Sequence, residues 1–171
     1  MSGSNKRRDK NATTVYSPEK NATGDILYPG IDAIRAWLES NAISEVECLV
    51  PDMTGNARGK FIPAHQFLSR ADLKLPESIM IQTVTGAYTD EHWGFVEPTD
   101  TDMLLVPDPD SLRKVPWARE PTAQIIADCY KASGEPHPLA SRNVLKHILR
   151  LYEAAGLRAQ VAPEVEFFLV H

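Results

Sequence analysis

The chain has 171 residues, of which 43% are hydrophobic and 24% are charged, an ordinary composition for a globular protein. This length allows one domain and part of a second. The longest apolar runs span only a few residues, whereas a transmembrane helix needs about 20, so no membrane partner is predicted. The basic stretch Lys6–Arg8 is followed by polar residues, so no signal peptide is predicted either. Two widely separated cysteines, Cys48 and Cys129, indicate a cytoplasmic protein without a disulfide framework.

The net charge of −5 is unevenly distributed along the chain. Residues 1–24 carry +3, so the remaining residues carry −8. A nucleic-acid-binding domain usually shows the opposite balance on its folded part, and no nucleic-acid partner is predicted. Because residues 1–24 also lack hydrophobic periodicity, we interpret them as a disordered basic tail.

Hydrophobic periodicity and turn residues predict an α+β fold, with a helix, several strands, a linker, a second helix and a last strand. Ser141 is the predicted N-cap of the second helix, and Gly156 is the glycine that ends it. The predicted elements are a helix over 31–42, a strand over 45–50, a hairpin over 51–63, a short helix over 64–69, strands over 78–83, 103–107 and 123–130, a linker over 134–139, the helix before Gly156, and a strand over 160–170.

Two glutamates in the last predicted strand are the first candidate site. Glu164 and Glu166 are two residues apart, so a strand would place them on one face, about 6.6 Å apart. Carboxylates on an otherwise apolar strand are costly to bury without counter-charge. A pair of divalent cations such as Mg²⁺ or Mn²⁺ would supply that charge. A half-exposed strand with a solvated acidic face is the alternative.

Asp90–Asp110 contains seven acidic residues and no basic one. This segment is either a solvated acidic loop or a wall that faces a cationic group. The histidines show no spacing typical of metal ligands, and we predict that they lie at the surface or cap helices. The histidines so interpreted are His65, His92, His137 and His147.

Four segments resemble motifs of the glutamine synthetase family. Ala-Pro-Glu-Val-Glu-Phe-Phe-Leu at 162–169 is similar to the family's metal-binding strand, usually Gly-Pro-Glu-x-Glu-Phe-Phe-Leu. The hairpin over 50–63, the segment Thr101–Asp108 and the helix start Ser141–Leu145 resemble three further motifs in the family's order. The resemblance covers about residues 31–171, nearly everything outside the tail.

The resemblance implies a β-grasp-like N-terminal domain over residues 25–133. Residues 134–171 would then hold the first helix and strand of a glutamine-synthetase-type catalytic domain. Family members form homo-oligomeric rings, with each active site between the N-terminal domain of one subunit and the catalytic sheet of its neighbour. We therefore expect this chain to be an incomplete N-terminal part that is inactive when isolated.

The resemblance also implies a reaction. ATP would phosphorylate the γ-carboxylate of glutamate, and an amine would displace the phosphate to form an amide. Two or more Mg²⁺ or Mn²⁺ ions would assist, with Glu164 and Glu166 as ligands in different metal sites. Asp52 would be the catalytic residue that helps to bind and deprotonate ammonium, although aspartate is also common in hairpin turns.

The identity of the amine is the remaining question. Residues 85–95 replace the family's Asp-Gly-Ser-Ser segment, which helps to form the ammonium site. The hairpin instead resembles the γ-glutamylpolyamine and γ-glutamylputrescine synthetase branch, so putrescine or spermidine is the implied amine. Trp93 and Asp102 would bind it, Trp93 through a cation–π contact unless its ring is ordinary loop packing. The alternatives are a glutamine synthetase that uses ammonia, and a non-catalytic interaction module that docks on full-length subunits.

Overall fold

In a computed structural model of the chain, the described residues are 19–20, 26–28, 30–69, 73–88, 90–96 and 99–170. Within these ranges, no helix combines the length and the apolar character needed to cross a bilayer. Most of the predicted basic tail lies outside the described residues. Its residues Glu19–Lys20 differ from the prediction of disorder, because they form a short strand that pairs with Ile26–Leu27.

The described ranges form eight strands and three α-helices, joined in part by short 3₁₀ helices. The strands are β1 Glu19–Lys20, β2 Ile26–Leu27, β3 Glu45–Pro51, β4 Ala57–Pro63, β5 Lys74–Pro76, β6 Asp102–Pro107, β7 Arg113–Lys114 and β8 Thr122–Tyr130. The α-helices are α1 Ile31–Ser40, α2 Ala64–Ser69 and α3 Ser141–Ala154, and the 3₁₀ helices are Glu77–Ile81, Asp90–Phe95 and Pro109–Ser111.

Strand β8 is the centre of the main sheet, whose strand order is β4-β3-β8-β6-β5, with β7 also paired to β8. The first part of β8, from Thr122 to Ile126, runs parallel to β3. Its last part, from Ala127 to Tyr130, runs antiparallel to β6. Strand β8 therefore joins the β3–β4 hairpin on one side to β6 and β5 on the other. This mixed arrangement confirms the predicted α+β class, and the β-grasp description stays a prediction.

The core lies between the sheet and the first two helices. Alternate residues of β3, from Val46 through Cys48 to Val50, are buried, as the alternation in the sequence predicts. Helix α1 contributes Ile34 and Leu38 to the same core, and each buried side chain of this size stabilises the fold by about 1.5–3 kcal/mol. The predictions of helix 31–42, the hairpin, helix 64–69 and strands 103–107 and 123–130 are confirmed to within two residues.

The predicted strand over 78–83 is wrong, because residues 77–81 form a 3₁₀ helix. The Asp100 carboxylate accepts hydrogen bonds from the Ser78 backbone N–H at 2.9 Å and from its Oγ at 2.8 Å. The Thr101 carbonyl accepts a further bond from the Glu77 backbone N–H. These distant acceptors satisfy the free N–H groups at the helix start, whereas local apolar character cannot separate a buried strand from a buried helix.

The predicted strand over 160–170 is also wrong in this chain. Residues 157–170 form neither helix nor strand and are exposed throughout. A strand exists only where a neighbouring strand completes its hydrogen bonds, and no strand of the described ranges pairs with this segment.

Helix α3 follows the prediction at its C-terminus and differs at its start. Gly156 follows the helix with a φ of +71°, the left-handed conformation that favours glycine at this position. The N-cap is Ala140 rather than Ser141, and it makes no side-chain capping bond. The Ser141 hydroxyl instead donates to the carbonyl oxygen of Pro51 at 3.2 Å. This hydroxyl therefore joins the helix to the end of β3.

One histidine lies inside the fold, contrary to the surface prediction. His137 is buried in the connection between β8 and α3. Its Nε2 lies 3.5 Å from Oε1 of Glu77, and its Nδ1 accepts a bond from the Leu139 backbone N–H at 3.3 Å. Burial lowers the pKa of His137, assisted by Lys131 and opposed by Glu77. The imidazole is therefore held neutral, with Nδ1 as the acceptor.

Candidate functional site

Asp52 lies at the tip of the β3–β4 hairpin, and its side chain organises the turn. Its Oδ1 accepts hydrogen bonds from the Thr54 backbone N–H and from the Thr54 hydroxyl, both at 2.8 Å. The Asn56 backbone N–H donates to the same oxygen at 2.9 Å. Asp52 is only 2% exposed. Aspartate suits this position because its short carboxylate reaches backbone N–H groups two and four residues ahead.

The second carboxylate oxygen of Asp52 connects the hairpin to a neighbouring loop. Nε of Arg58 lies 2.8 Å from Oδ2 of Asp52, and Nη2 of Arg58 donates to the Thr83 carbonyl at 3.1 Å. The Asn56 side-chain amide donates to the Val84 carbonyl at 2.9 Å. The hairpin tip and the loop at residues 83–87 therefore form one hydrogen-bonded unit.

The pKa of Asp52 decides what its carboxylate can do chemically. Burial raises the pKa of Asp52. Hydrogen bonds from Arg58, Thr54 and the Asn56 backbone together lower it by more than burial raises it, so the net pKa lies below the ordinary value. A carboxylate with a lowered pKa stays ionised and is a weak proton acceptor. The geometry supports a role for Asp52 in shaping the hairpin, and its role in binding and deprotonating the amine stays a prediction.

Trp93 lies in the 3₁₀ helix Asp90–Phe95 and stacks on Tyr88. The ring centroids are 5.1 Å apart, with an angle of 27° between the planes. The Tyr88 hydroxyl accepts a hydrogen bond from Nε2 of Gln82 at 2.8 Å and lies 3.3 Å from the Ser78 hydroxyl. Both rings remain about two-fifths exposed, at 41% for Trp93 and 42% for Tyr88. The two stacked rings therefore form an aromatic surface that the Tyr88 hydrogen bond keeps in place and that is partly exposed to solvent.

The acidic segment is divided between structural and exposed carboxylates. Asp100 caps the 3₁₀ helix of residues 77–81, and Asp108 is buried. Asp90 and Glu91 are exposed in the same 3₁₀ helix as Trp93. Asp102 is exposed at the start of β6, and its side chain forms no hydrogen bond or ion pair with a described residue. Asp100 and Asp108 therefore do not belong to an acidic wall, Glu97 lies outside the described residues, and Asp90 and Glu91 are the carboxylates nearest to Trp93 along the chain.

Glu164 and Glu166 lie in the exposed segment that follows α3. Neither forms a hydrogen bond or ion pair with another described residue, and the structure brings neither of them to the hairpin. Their carboxylates are the oxygen donors that Mg²⁺ and Mn²⁺ prefer. However, the described ranges contain no group of three or more His, Cys, Asp or Glu side chains that could hold a metal. These residues alone do not form a metal site, and we derive no reaction step through a metal.

A buried charge cluster under α3 is missing from the sequence predictions. Nε of Arg142 lies 2.8 Å from Oδ1 of Asp128, and Nη2 of Arg142 bonds to Oδ2 of Asp108. Nζ of Lys146 lies 2.5 Å from Oδ2 of Asp128 and 3.8 Å from Oδ2 of Asp108. We call these four residues the α3 clasp. The available signal was the spacing of Arg142 and Lys146, which puts two cations on one face of a helix.

Burial also governs the ionisation of the clasp. It raises the pKa of Asp128, although the hydrogen bond and the charge of Lys146 oppose the shift. Burial likewise lowers the pKa of Arg142, but a guanidinium stays charged because its ordinary pKa is so high. Each carboxylate therefore depends on these cations to offset its desolvation.

The chain is similar to ligases that join glutamate to amines. It is 30% identical over 143 residues to the glutamate–isopropylamine ligase of Pseudomonas sp, a match that covers 81% of this chain and 31% of that protein. It is 30% identical over 148 residues to the gamma-glutamylethanolamide synthetase GlnA4 of Streptomyces coelicolor, covering 82% of this chain and 31% of that protein. The glutamine synthetase of Halobacterium salinarum is 28% identical over 164 residues, a match that covers 94% of this chain and 31% of that protein.

Solved structures share the fold of this chain over about seven-tenths of its length. A GmaS complex with ADP matches with a TM-score of 0.52 and 24% identity, covering 70% of this chain and 25% of GmaS. GmaS without ligand matches with a TM-score of 0.50 and 25% identity, covering 69% of this chain and 25% of GmaS. No family model matches the chain. The chain spans about a third of the length of the curated relatives named above. Over that part, it is a homologue of glutamine synthetase family members, which include ligases for organic amines as well as glutamine synthetases.

Proposed function

We propose that the chain is the N-terminal part of an ATP-dependent ligase that joins the γ-carboxylate of glutamate to an organic amine. The observation that carries this proposal is the similarity, over about four-fifths of the chain, to two ligases, one named for the amine isopropylamine and the other for a γ-glutamylethanolamide product. The reaction proceeds through γ-glutamyl phosphate. A carboxylate oxygen attacks the terminal phosphorus of ATP and ADP leaves. The amine nitrogen then attacks the acyl carbon, phosphate leaves, and the amine loses a proton.

In this proposal the hairpin unit forms one wall of the amine site. Arg58 and Asn56 hold the loop at residues 83–87 against the hairpin tip. Tyr88 follows this loop directly and stacks on Trp93. An exposed aromatic face beside ionised carboxylates attracts ammonium groups and the alkyl chains that carry them. This arrangement supports an amine larger than ammonia, and putrescine or spermidine is our candidate, with Asp102 as a further carboxylate for a second ammonium group.

A panel of amines tests the proposal on the whole protein. Phosphate release from ATP and glutamate is measured with ammonia, isopropylamine, ethanolamine, putrescine and spermidine in parallel. We expect the highest kcat/KM with putrescine or spermidine. Release with ammonia alone would contradict the organic-amine proposal and favour a glutamine synthetase, the second candidate, which the similarity to the Halobacterium salinarum protein supports. An absence of release with every amine would favour the non-catalytic module.

Substitution of Trp93 tests the aromatic wall. Trp93→Ala should raise the KM for the preferred amine by about two- to thirtyfold, because a cation–π contact is worth about 0.5–2 kcal/mol. Trp93→Phe should restore part of that loss. Trp117→Ala is the matched control, since Trp117 is 78% exposed in the separate loop between β7 and β8. An unchanged KM for the amine in Trp93→Ala would remove the tryptophan from the site.

We also propose that Glu164 and Glu166 donate carboxylate oxygens to Mg²⁺ or Mn²⁺ in the whole protein, with further ligands from outside the described residues. Glu164→Gln and Glu166→Gln should each weaken Mn²⁺ binding by at least about tenfold in a direct titration. The control is Glu135→Gln, because Glu135 is exposed in the connection before α3. Unchanged affinity in both variants would remove the metal assignment. We propose a homo-oligomeric ring with glutamate, ATP and the amine as small-molecule partners.

A further inference from the structure

Helix α3 is attached to the rest of the molecule by its polar side. Five of its large apolar residues face outward and are between 42% and 57% exposed, Leu149 is half-buried, and Lys146 is its only buried residue among those described. The outward residues are Val144, Leu145, Ile148, Leu151 and Tyr152. Apolar packing, which usually fixes an amphipathic helix to a sheet, is therefore only a minor part of what holds this helix in place.

The α3 clasp supplies the attachment instead. Arg142 reaches both carboxylates of the cluster, and Lys146, one turn later, reaches the same pair. Two cations face two carboxylates, so the cluster is neutral, and the Asp128 side chain is only 1% exposed. Removing one charge from such a cluster leaves a partner buried and unpaired, which is strongly destabilising.

The start of α3 also contacts segments that are far apart in the sequence. The Ser141 hydroxyl donates to the Pro51 carbonyl, directly before Asp52 in the hairpin. The Asn143 side-chain amide donates to the carbonyl of Cys129 at 2.5 Å and to that of His137 at 3.2 Å. Asp108 lies directly after β6, and Asp128 lies in β8. One helical turn therefore ties the hairpin, β6 and β8 together.

We infer that Arg142 is a positioning residue, and that the α3 clasp sets the orientation of the helix relative to the hairpin that carries Asp52. The guanidinium can bond to two carboxylates from different strands at once, and its planar geometry fixes the angle between them. A helix held in this way fixes the position of the segment after α3 relative to the hairpin, which forms one wall of the proposed amine site. The effect of Arg142 on amine binding, which we call the activity arm, rests on the proposed function. The attachment of the helix by the clasp, the structural arm, does not rest on it.

Hydrogen exchange of the α3 amides tests the structural arm on the chain itself. Arg142→Gln should speed exchange in α3 by at least about tenfold relative to β3, because the clasp is the main attachment of the helix. Arg142→Lys keeps the charge but loses the planar guanidinium that bonds to two carboxylates at once. It should therefore give a smaller increase in the exchange rate of α3. The matched control is Arg150→Gln, which removes the same charge two turns later, where no ion pair with a described residue exists. Equal exchange in Arg142→Gln and Arg150→Gln would overturn the clasp.

A double-mutant cycle shows whether the clasp residues act together, and it is also run by hydrogen exchange on the chain. If they do, the effect of Arg142→Gln should shrink several-fold in an Asp128→Asn background, because the partner charge is already absent. Effects that simply multiply would overturn the clasp as a unit. Should Arg142→Gln fail to fold, Arg142→Lys and Asp108→Asn are measured in its place against the same control.

The activity arm uses the whole protein and separates positioning from stability. Arg142→Lys should raise the KM for the amine by at least about threefold and leave the KM for ATP unchanged. Ile34→Val, which removes one methyl group from a buried residue of α1 and so lowers core stability, should change neither KM value. Equal changes in both KM values, or none, would overturn the positioning role. No turnover by the unsubstituted protein would overturn the proposed function, while hydrogen exchange would still decide the clasp.

Discussion

Replacing Asp52 by Asn removes one charge and no atoms of the hairpin's frame. The amide oxygen can still accept the three hydrogen bonds made by Thr54 and Asn56. The amide nitrogen, however, would face Nε of Arg58, which lies 2.8 Å from the carboxylate in the native protein. Two donors then oppose each other in a site that is 2% exposed. A hydrogen bond to a charged group contributes about 1.5–3 kcal/mol, so we expect Asp52→Asn to lower the free energy of unfolding by about that amount.

Urea denaturation at pH 7 measures this loss, and thermal melts should show a fall in Tm of about 3–12 °C. The matched control is Asp102→Asn, which makes the same change at an exposed position and should stay within about 0.5 kcal/mol of the native protein. Equal stability of Asp52→Asn and its control would refute the conclusion that an ionised, hydrogen-bonded Asp52 carboxylate stabilises the hairpin.

The pH dependence of the same difference is a second test. The folded-state pKa of Asp52 lies below its ordinary value of 3.8, so the unfolded chain takes up the proton first as the solution is acidified. The stabilisation is therefore complete above pH 3.8 and is lost as the pH falls through the folded-state value. The stability gap between native protein and Asp52→Asn should close only below about pH 4. A gap that closes near neutral pH would contradict the sign of the shift.

Two further substitutions probe the fold. Gly59→Ala should cost about 1–3 kcal/mol in urea denaturation, because an added Cβ would lie 2.1 Å from the Cys48 carbonyl oxygen. Gly94→Ala meets no atom within 4 Å and should be close to neutral; similar costs in both would contradict the close strand pairing. The pKa of His137 is lowered from 6.5, so protonation below that pH favours the unfolded chain and should reduce stability between pH 7.5 and 5.5. His137→Gln should lose less stability over that interval than the exposed control His147→Gln, and equal losses would contradict the buried neutral imidazole.

Local pattern was sufficient for much of the fold because the signals there are local. The alternation of Val46, Cys48 and Val50 requires one buried face, and the turn residues that follow it require a hairpin. Helical spacing located α3, and glycine at position 156 ended it at the predicted place. In each case the energy that decides the structure comes from residues close together in the sequence.

The errors arose where distant residues decide the structure. Asp100 and the Thr101 carbonyl cap a 3₁₀ helix where the sequence suggested a strand. His137 is buried because Glu77 and the Leu139 amide N–H lie beside it. The helical spacing that predicted α3 does not indicate which side of the helix faces the sheet. Arg142 and Lys146 settle that question through two aspartates from other strands, a pairing that no local pattern contains.

The candidate site was predictable in its residue types more than in their roles. Asp52 and Trp93 were identified by motif and composition. In the structure, Arg58 and Asn56 join the hairpin to the loop at residues 83–87, and the Tyr88 ring after that loop stacks on Trp93. The partner of Trp93 was not predicted, because nothing in the sequence pairs its ring with that of Tyr88. The metal role of Glu164 and Glu166 stays a prediction, because the segment that carries them has no strand partner within the described ranges.

The central claim is that the whole protein activates the γ-carboxylate of glutamate as an acyl phosphate, from which an amine then displaces phosphate. Glutamate labelled with ¹⁸O in its γ-carboxylate tests this claim directly, in the presence of ATP and the preferred amine. Because the amine displaces the phosphate by breaking the bond between the acyl carbon and oxygen, we expect one labelled oxygen in each released phosphate, with release dependent on both glutamate and amine. Unlabelled phosphate would show that water cleaves ATP without acyl activation and would contradict the account.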